Sequence, residues 1–200
     1  MLFRSEEAQV IINGELQNGI GGGVCQVSTT LFNAAFESGL PITERTNHAL
    51  YISHYPLGRD ATVDYPSTDL QFRNDTSHWL WVRAFIGNSS LRMTIFGTSP
   101  QRRIESSTTP LHAVGAVPVK KVPDPLLPKG KKVVDDTIPF SPPLATSVRR
   151  VVYSPTGKVL YDSVWYSSYR AQPKVVHVGT KPKPANTAAA DTSGKIIALH

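Results

Sequence analysis

The sequence predicts an α+β fold in which one central helix packs on an antiparallel sheet, followed by a small all-β module. Three observations predict it. A 15-residue stretch without proline or glycine, Val24 to Ser38, repeats apolar residues at helical spacing. Short β-prone runs divided by turn residues fill Ile42 to Phe96. A proline- and lysine-rich interval then separates these from a second set of β-prone runs near the C-terminus.

The elements follow in chain order. Residues 9–22 read as a short strand, a turn at Asn13-Gly14 and a glycine-rich approach. In the helix, Val27, Leu31, Ala34 and Ala35 form one apolar stripe that Phe32 and Phe36 widen; Gly39 stops it and Pro41 bars continuation. The runs ITERTNHALYISHY, ATVDY, DLQFRN, HWLWVRAFI and SLRMTIF then read as antiparallel strands. Trp79 and Trp81 share a strand face and are expected to cover a core, although an exposed pair would stack on sugar rings. Pro100, Pro110, Pro118, Pro123, Pro125 and Pro128 with interspersed lysines read as a linker. SVRRVVYSPTGKVLYDSVWYSSY gives a hairpin about Pro155-Thr156-Gly157, and PKVVHVGTK a third strand. The expected domains are therefore 1–98, a linker over 99–133, a β module over 134–180 and a disordered tail over 181–200.

Charge is distributed unevenly. Residues 1–100 hold 6 Lys+Arg against 9 Asp+Glu, so the second half carries net +9 and the first −3. A basic half suits an anionic partner or a solvated tail. The basic residues lie among prolines, on no helix and beside no stacking aromatics, which argues against nucleic acid. With one cysteine, Cys25, neither an internal disulfide nor a multi-cysteine zinc site can form. No run approaches the roughly 20 apolar residues of a membrane span. The opening residues have no signal-peptide pattern, and a strand-like start without lead-in suggests that residue 1 lies inside a longer protein.

Cys25 carries the chemistry. Gly21, Gly22 and Gly23 deliver the chain to a thiol in the first turn of a helix, where unpaired N–H groups and the helix dipole favour thiolate and suit an oxyanion. A buried cysteine acting as a small hydrophobe is the plain alternative. A nucleophile needs a base and the base an orienting group. His48 and Asp60, on strands that a hairpin would join, are the candidates, with His54 and Asp64 as rivals. Cysteine on a helix, then His and Asp on neighbouring strands, is the order of papain-like and transglutaminase-like enzymes. Gly21, Gly22, Gly23, Gln26 and Arg59 are the candidate substrate-binding residues. No HxxxH or CxxC pair anchors a metal site, so neither metal nor cofactor is expected.

The blocks GIGGGVCQVSTTLFNAAFESGLPITER and NHALYISHYPLGRDATVDYPSTDLQFRNDTSHWLWVRAF resemble the VanW family through residues 8–98. One departure is Ala49, where the family usually has serine after the histidine. DPLLPKG, the Ser147–Leu160 hairpin and VVHVGTK are weakly similar to a G5 module. The resemblance implies an extracytoplasmic cell-envelope protein, if the chain is part of a longer exported one, and a partner in peptidoglycan or an anionic wall polymer. Two functions remain open: a Cys25–His48–Asp60 hydrolase or acyl-transferase acting on peptidoglycan peptides, or a non-catalytic wall-binding protein whose glycine loop holds a carboxylate or sugar. Scaffolding alone leaves the Gly-Gly-Gly-Val-Cys loop unexplained.

Overall fold

A computed structural model describes the backbone of residues 7–12, 15–20, 23–64 and 66–182, with side chains for 23–64 and 66–182. The turn expected at Asn13-Gly14, Gly21, Gly22 and nearly all of the expected disordered tail lie outside the described residues. The chain divides into two units, residues 1–118 with 139–173, and residues 119–138 with 174–200.

In the first unit, β1 (Glu7–Ile12) and β2 (Glu15–Ile20) pair antiparallel. Helix α1 (Val24–Glu37) follows. It ends in a Schellman motif: Gly39, at φ +70, donates its N–H to the Phe36 carbonyl, and Leu40 to that of Ala35. β3 (Ile42–Glu44) pairs β4 (Gln71–Phe72), and β5 (Trp81–Ile86) pairs β6 (Leu91–Phe96) in a separate hairpin. β7 (Arg103–Thr108) and β8 (His112–Ala113) lie along β11 (Leu144–Tyr153), which pairs β12 (Val159–Tyr169) on its other edge.

The α+β expectation is overturned. Among the described residues the chain is mostly strand with one helix, and its sheets are small and separate, not the papain-like arrangement of a central helix on one sheet. The segment meant to supply that sheet, 42–96, gives only two two-stranded pieces, because its turns leave β3 and β4 three and two residues long. Phe32 and Phe36 of the helix instead meet Val148 and Trp165, which the sequence reading assigns to a separate module; Ala61, Ile42 and Leu70 complete the cluster. The Phe32 and Trp165 rings meet edge-to-face at 6.3 Å. Arg150 is fully buried here, stacked on Phe36 and Trp165, and donates to the Phe36 and Leu40 carbonyls at 2.9 Å each. A guanidinium thus satisfies the carbonyl end of α1, where the helix dipole favours a cation. Trp79 and Trp81 cover no core; both are exposed.

The second unit is one sheet of β9 (Val119–Pro128), β10 (Lys132–Val134) and β13 (Lys174–Lys181). β13 is central, parallel to β9 and antiparallel to β10. Strands β7, β8 and β9 thus occupy the interval read as a linker. Pro123, Pro125 and Pro128 fit in β9 because it is an edge strand, with no second ladder to donate to.

Candidate active site

The site is built on a polar stripe of α1. Cys25, Ser28, Thr29 and Asn33 recur at helical spacing, and the last three tie the helix to residues 59–61. Ser28 and Thr29 hydroxyls donate to the Ala61 carbonyl, Thr29 Oγ1 also accepts the Ala61 N–H at 3.0 Å, and Asn33 donates to the Arg59 carbonyl at 2.8 Å. One turn further up, Cys25 Sγ lies 3.3 Å from Thr62 Oγ1 and 3.8 Å from the Val63 carbonyl. Gly23 precedes the helix without a side-chain cap, so the first-turn N–H groups are left for other acceptors.

His48 and Asp60 meet through an antiparallel bridge. Thr46 pairs with Thr62, so two residues further in each direction His48 and Asp60 stand opposite on one face. Neither belongs to a strand longer than that bridge. Asp60 Oδ2 accepts the His48 backbone N–H at 2.7 Å and lies 2.9 Å from ring Nδ1. Asp60 Oδ1 accepts from Arg45 Nη2 at 3.0 Å and from the Tyr169 hydroxyl at 2.8 Å. Gly58 allows the approach: its φ is +68, and a Cβ there would stand 2.7 Å from Val148 Cγ2.

Electrostatics couple the three side chains. Interaction with the His48 side chain is the largest influence on the Cys25 thiol, which lies at about 7 despite the opposing effect of burial. Burial by itself would lower His48, but Asp60 and Cys25 outweigh it and hold the imidazole at about 9. Burial would raise Asp60, yet His48 and Arg45 bring it below the usual carboxylate range. Among the described residues, His48 Nε2 is buried without a hydrogen-bond partner. We therefore assign its effect on the thiol to proximity and charge, not to a well-formed bond.

The other sequence candidates lie elsewhere or are engaged. Gln26 donates to Thr30 within the helix. Arg59 binds Asn33 and Glu37 and lies over the Phe36 ring. His54 is exposed in a turn, and Asp64 is exposed at an isolated bridge with Thr68. Sequence reasoning missed Thr62, Arg45 and Tyr169. Thr62 had a signal, its placement two residues after Asp60 around the same turn; Arg45 and Tyr169 had none. Among the described residues no group of three His, Cys, Asp or Glu side chains is arranged to hold a metal.

A family model described as "VanW like protein" matches residues 4–96, which include Cys25, His48 and Asp60. This is a VanW-family region. It is 40% identical over 93 residues to the uncharacterized protein YoaR of Bacillus subtilis (strain 168), covering 46% of this chain and 31% of that protein. It is 33% identical over 86 residues to the vancomycin B-type resistance protein VanW of Enterococcus faecalis (strain ATCC 700802 / V583), covering 38% of this chain and 30% of that one. The chain thus spans about a third of the length of the curated relatives it matches. Among solved structures, an IgA1 protease G5 domain is similar at 20% identity and TM-score 0.24, over 40% of this chain and 88% of that one, too slight a likeness to carry an argument. The VanW-like region supplies the thiol, the imidazole, the carboxylate and Arg45. Tyr169 and Ser167, the latter accepting from Arg45 at 3.0 Å, come from outside it. No helix among the described residues is long and apolar enough to cross a membrane.

Proposed function

We propose that the VanW-like region is a cell-envelope cysteine hydrolase or acyl-transferase acting on amide bonds of peptidoglycan peptides. The observation that carries this reading is a thiol at about 7 beside a histidine that a buried aspartate orients. Cys25 thiolate adds to the amide carbonyl carbon, and the first-turn N–H groups of α1 face the developing oxyanion. Protonated His48 gives its Nε2 proton to the departing amine, leaving a thioester on Cys25. Water, or an acceptor amine, then attacks the thioester; His48 takes its proton, and the thiolate leaves. Asp60 keeps the Nδ1 proton in place and stabilises the imidazolium.

Iodoacetamide alkylation tests the first requirement. The rate should rise with a midpoint near pH 7, and His48→Ala should move that midpoint up toward the ordinary thiol range. Release of new amino groups from purified peptidoglycan should stop in Cys25→Ala. A thiol that stays inert through pH 9 would sink this reading. The net +9 of residues 101–200 favours the alternative, a non-catalytic protein that holds anionic wall polymer. It requires retention on cell walls that Cys25→Ala leaves unchanged, with no amine release by the unaltered chain.

A further inference from the structure

The β5–β6 hairpin presents a face that the thiol site does not use. Its register places Trp81 opposite Phe96, Arg83 opposite Thr94 and Phe85 opposite Arg92. Residues opposite one another share a face, and alternate residues along each strand return to it. One face therefore carries three aromatic rings, two guanidiniums, one hydroxyl and no acid. Trp81 is 51%, Phe96 42% and Phe85 38% exposed, well beyond what a packed sheet face leaves open. The other face is wholly apolar; its β6 residues Leu91, Met93 and Ile95 are half-buried, whereas its β5 residues Val82, Ala84 and Ile86 are exposed, so the hairpin rests on that side through β6 alone.

The exposed face is ordered by its own contacts. Trp81 and Phe96 rings lie 5.5 Å apart, and the Arg83 guanidinium sits 4.5 Å over Phe85 and 5.6 Å from the Trp81 ring. Neither Arg83 nor Arg92 has a carboxylate partner among the described residues. Trp81 and Phe85 stand about 13 Å apart along the strand, at roughly 3.3 Å per residue. A flat ring, a forked cation and a second flat ring thus repeat along a straight ribbon. Aromatic faces take the C–H faces of sugar rings, and a guanidinium takes a carboxylate through two parallel hydrogen bonds. Both charges on the face are positive, so a neutral glycan would leave them unanswered.

We propose that the β5–β6 face is a docking surface for a linear polysaccharide whose sugar rings carry carboxylates. The choice of a glycan over a nucleic acid, which would also offer flat rings and negative charge, rests on the wall-directed reading of the thiol site. The face would hold an acidic wall polysaccharide while the thiol acts on peptides of the same wall.

Affinity electrophoresis of the full chain in gels containing polygalacturonate, neutral pullulan or no polymer tests the proposal, with a fluorescent poly(dT) oligonucleotide titrated separately. Polygalacturonate should retard the chain and pullulan should not. The double variant Arg83→Gln/Arg92→Gln should weaken retardation about tenfold or more and flatten its salt dependence. Trp81→Ala should weaken it severalfold with the salt dependence kept. Both variants alter exposed side chains, and an unchanged iodoacetamide rate at Cys25 would show that the fold and the thiol site are intact. Equal retardation of the variants would overturn the proposal, as would tighter, variant-sensitive binding of poly(dT). Failure of the two readings is separable: a docking face without a reactive thiol leaves polygalacturonate binding intact, whereas a reactive thiol without the docking face leaves alkylation intact and retardation absent.

Discussion

Asp60 is the residue on which the site turns, because its carboxylate accepts four hydrogen bonds, from the His48 backbone and ring, Arg45 and Tyr169. Its folded pKa is depressed, so it contributes stability at pH values above the unfolded carboxylate value of about 3.9 and loses that contribution as pH falls through the folded value. Thermal unfolding of Asp60→Asn should accordingly be less acid-sensitive below about pH 4 than that of the unaltered chain. A parallel acid dependence in both would contradict the assignment. Arg45→Ala breaks a buried pair and should cost about 3–5 kcal/mol, measured by urea unfolding. Cys25, His48 and Asp60 were singled out in sequence because a thiol at a helix start needs a base, and His48 and Asp60 lie near the starts of the strand-like runs that follow. Arg45 was not singled out, since a cation three residues before a histidine says nothing until the bridge at Thr46 and Thr62 fixes which faces meet.

At the scale of elements, α1 is held at both ends by groups remote in sequence. Its first turn leans on Thr62 and its last carbonyls on Arg150. Arg150→Ala leaves the Phe36 carbonyl with the Gly39 N–H but takes the Arg150 donor from the Leu40 carbonyl, and should destabilise the chain by roughly 1–3 kcal/mol for that acceptor left unmade. Arg150→Lys, with one compact cation, should recover part of this loss; recovery to full stability would show that the forked geometry is unimportant. The helix was legible because its stripe of Val, Leu, Ala and Phe has one period. The short strands of 42–96 were over-read. β-prone residues there are spent on bends about Gly58 and Pro66, and the backbone hydrogen bonds go to side chains and isolated bridges instead of a ladder. The opposite error occurred in the proline-rich interval, where composition suggested a linker and one-sided pairing made strands possible.

The first unit as a whole cannot be cut at the change in composition near residue 98. Phe32 and Phe36 need Val148 and Trp165, and Asp60 needs Tyr169. A fragment of residues 1–98 should therefore lack a cooperative thermal transition and disperse poorly in a proton–nitrogen correlation spectrum. A sharp transition in that fragment would contradict this dependence. No sequence signal announced it, because contacts across more than 100 residues leave no local periodicity.

The Tyr169 hydroxyl on Asp60 also sets an order of events during synthesis. A ribosome releases Cys25, His48 and Asp60 long before β12, and until Tyr169 and Trp165 emerge the aspartate lacks one donor and the helix half its packing. Under the proposed function, a half-made chain would expose an ordinary, sluggish thiol, and sensitivity to electrophiles and oxidants would begin only with the last strand of the unit.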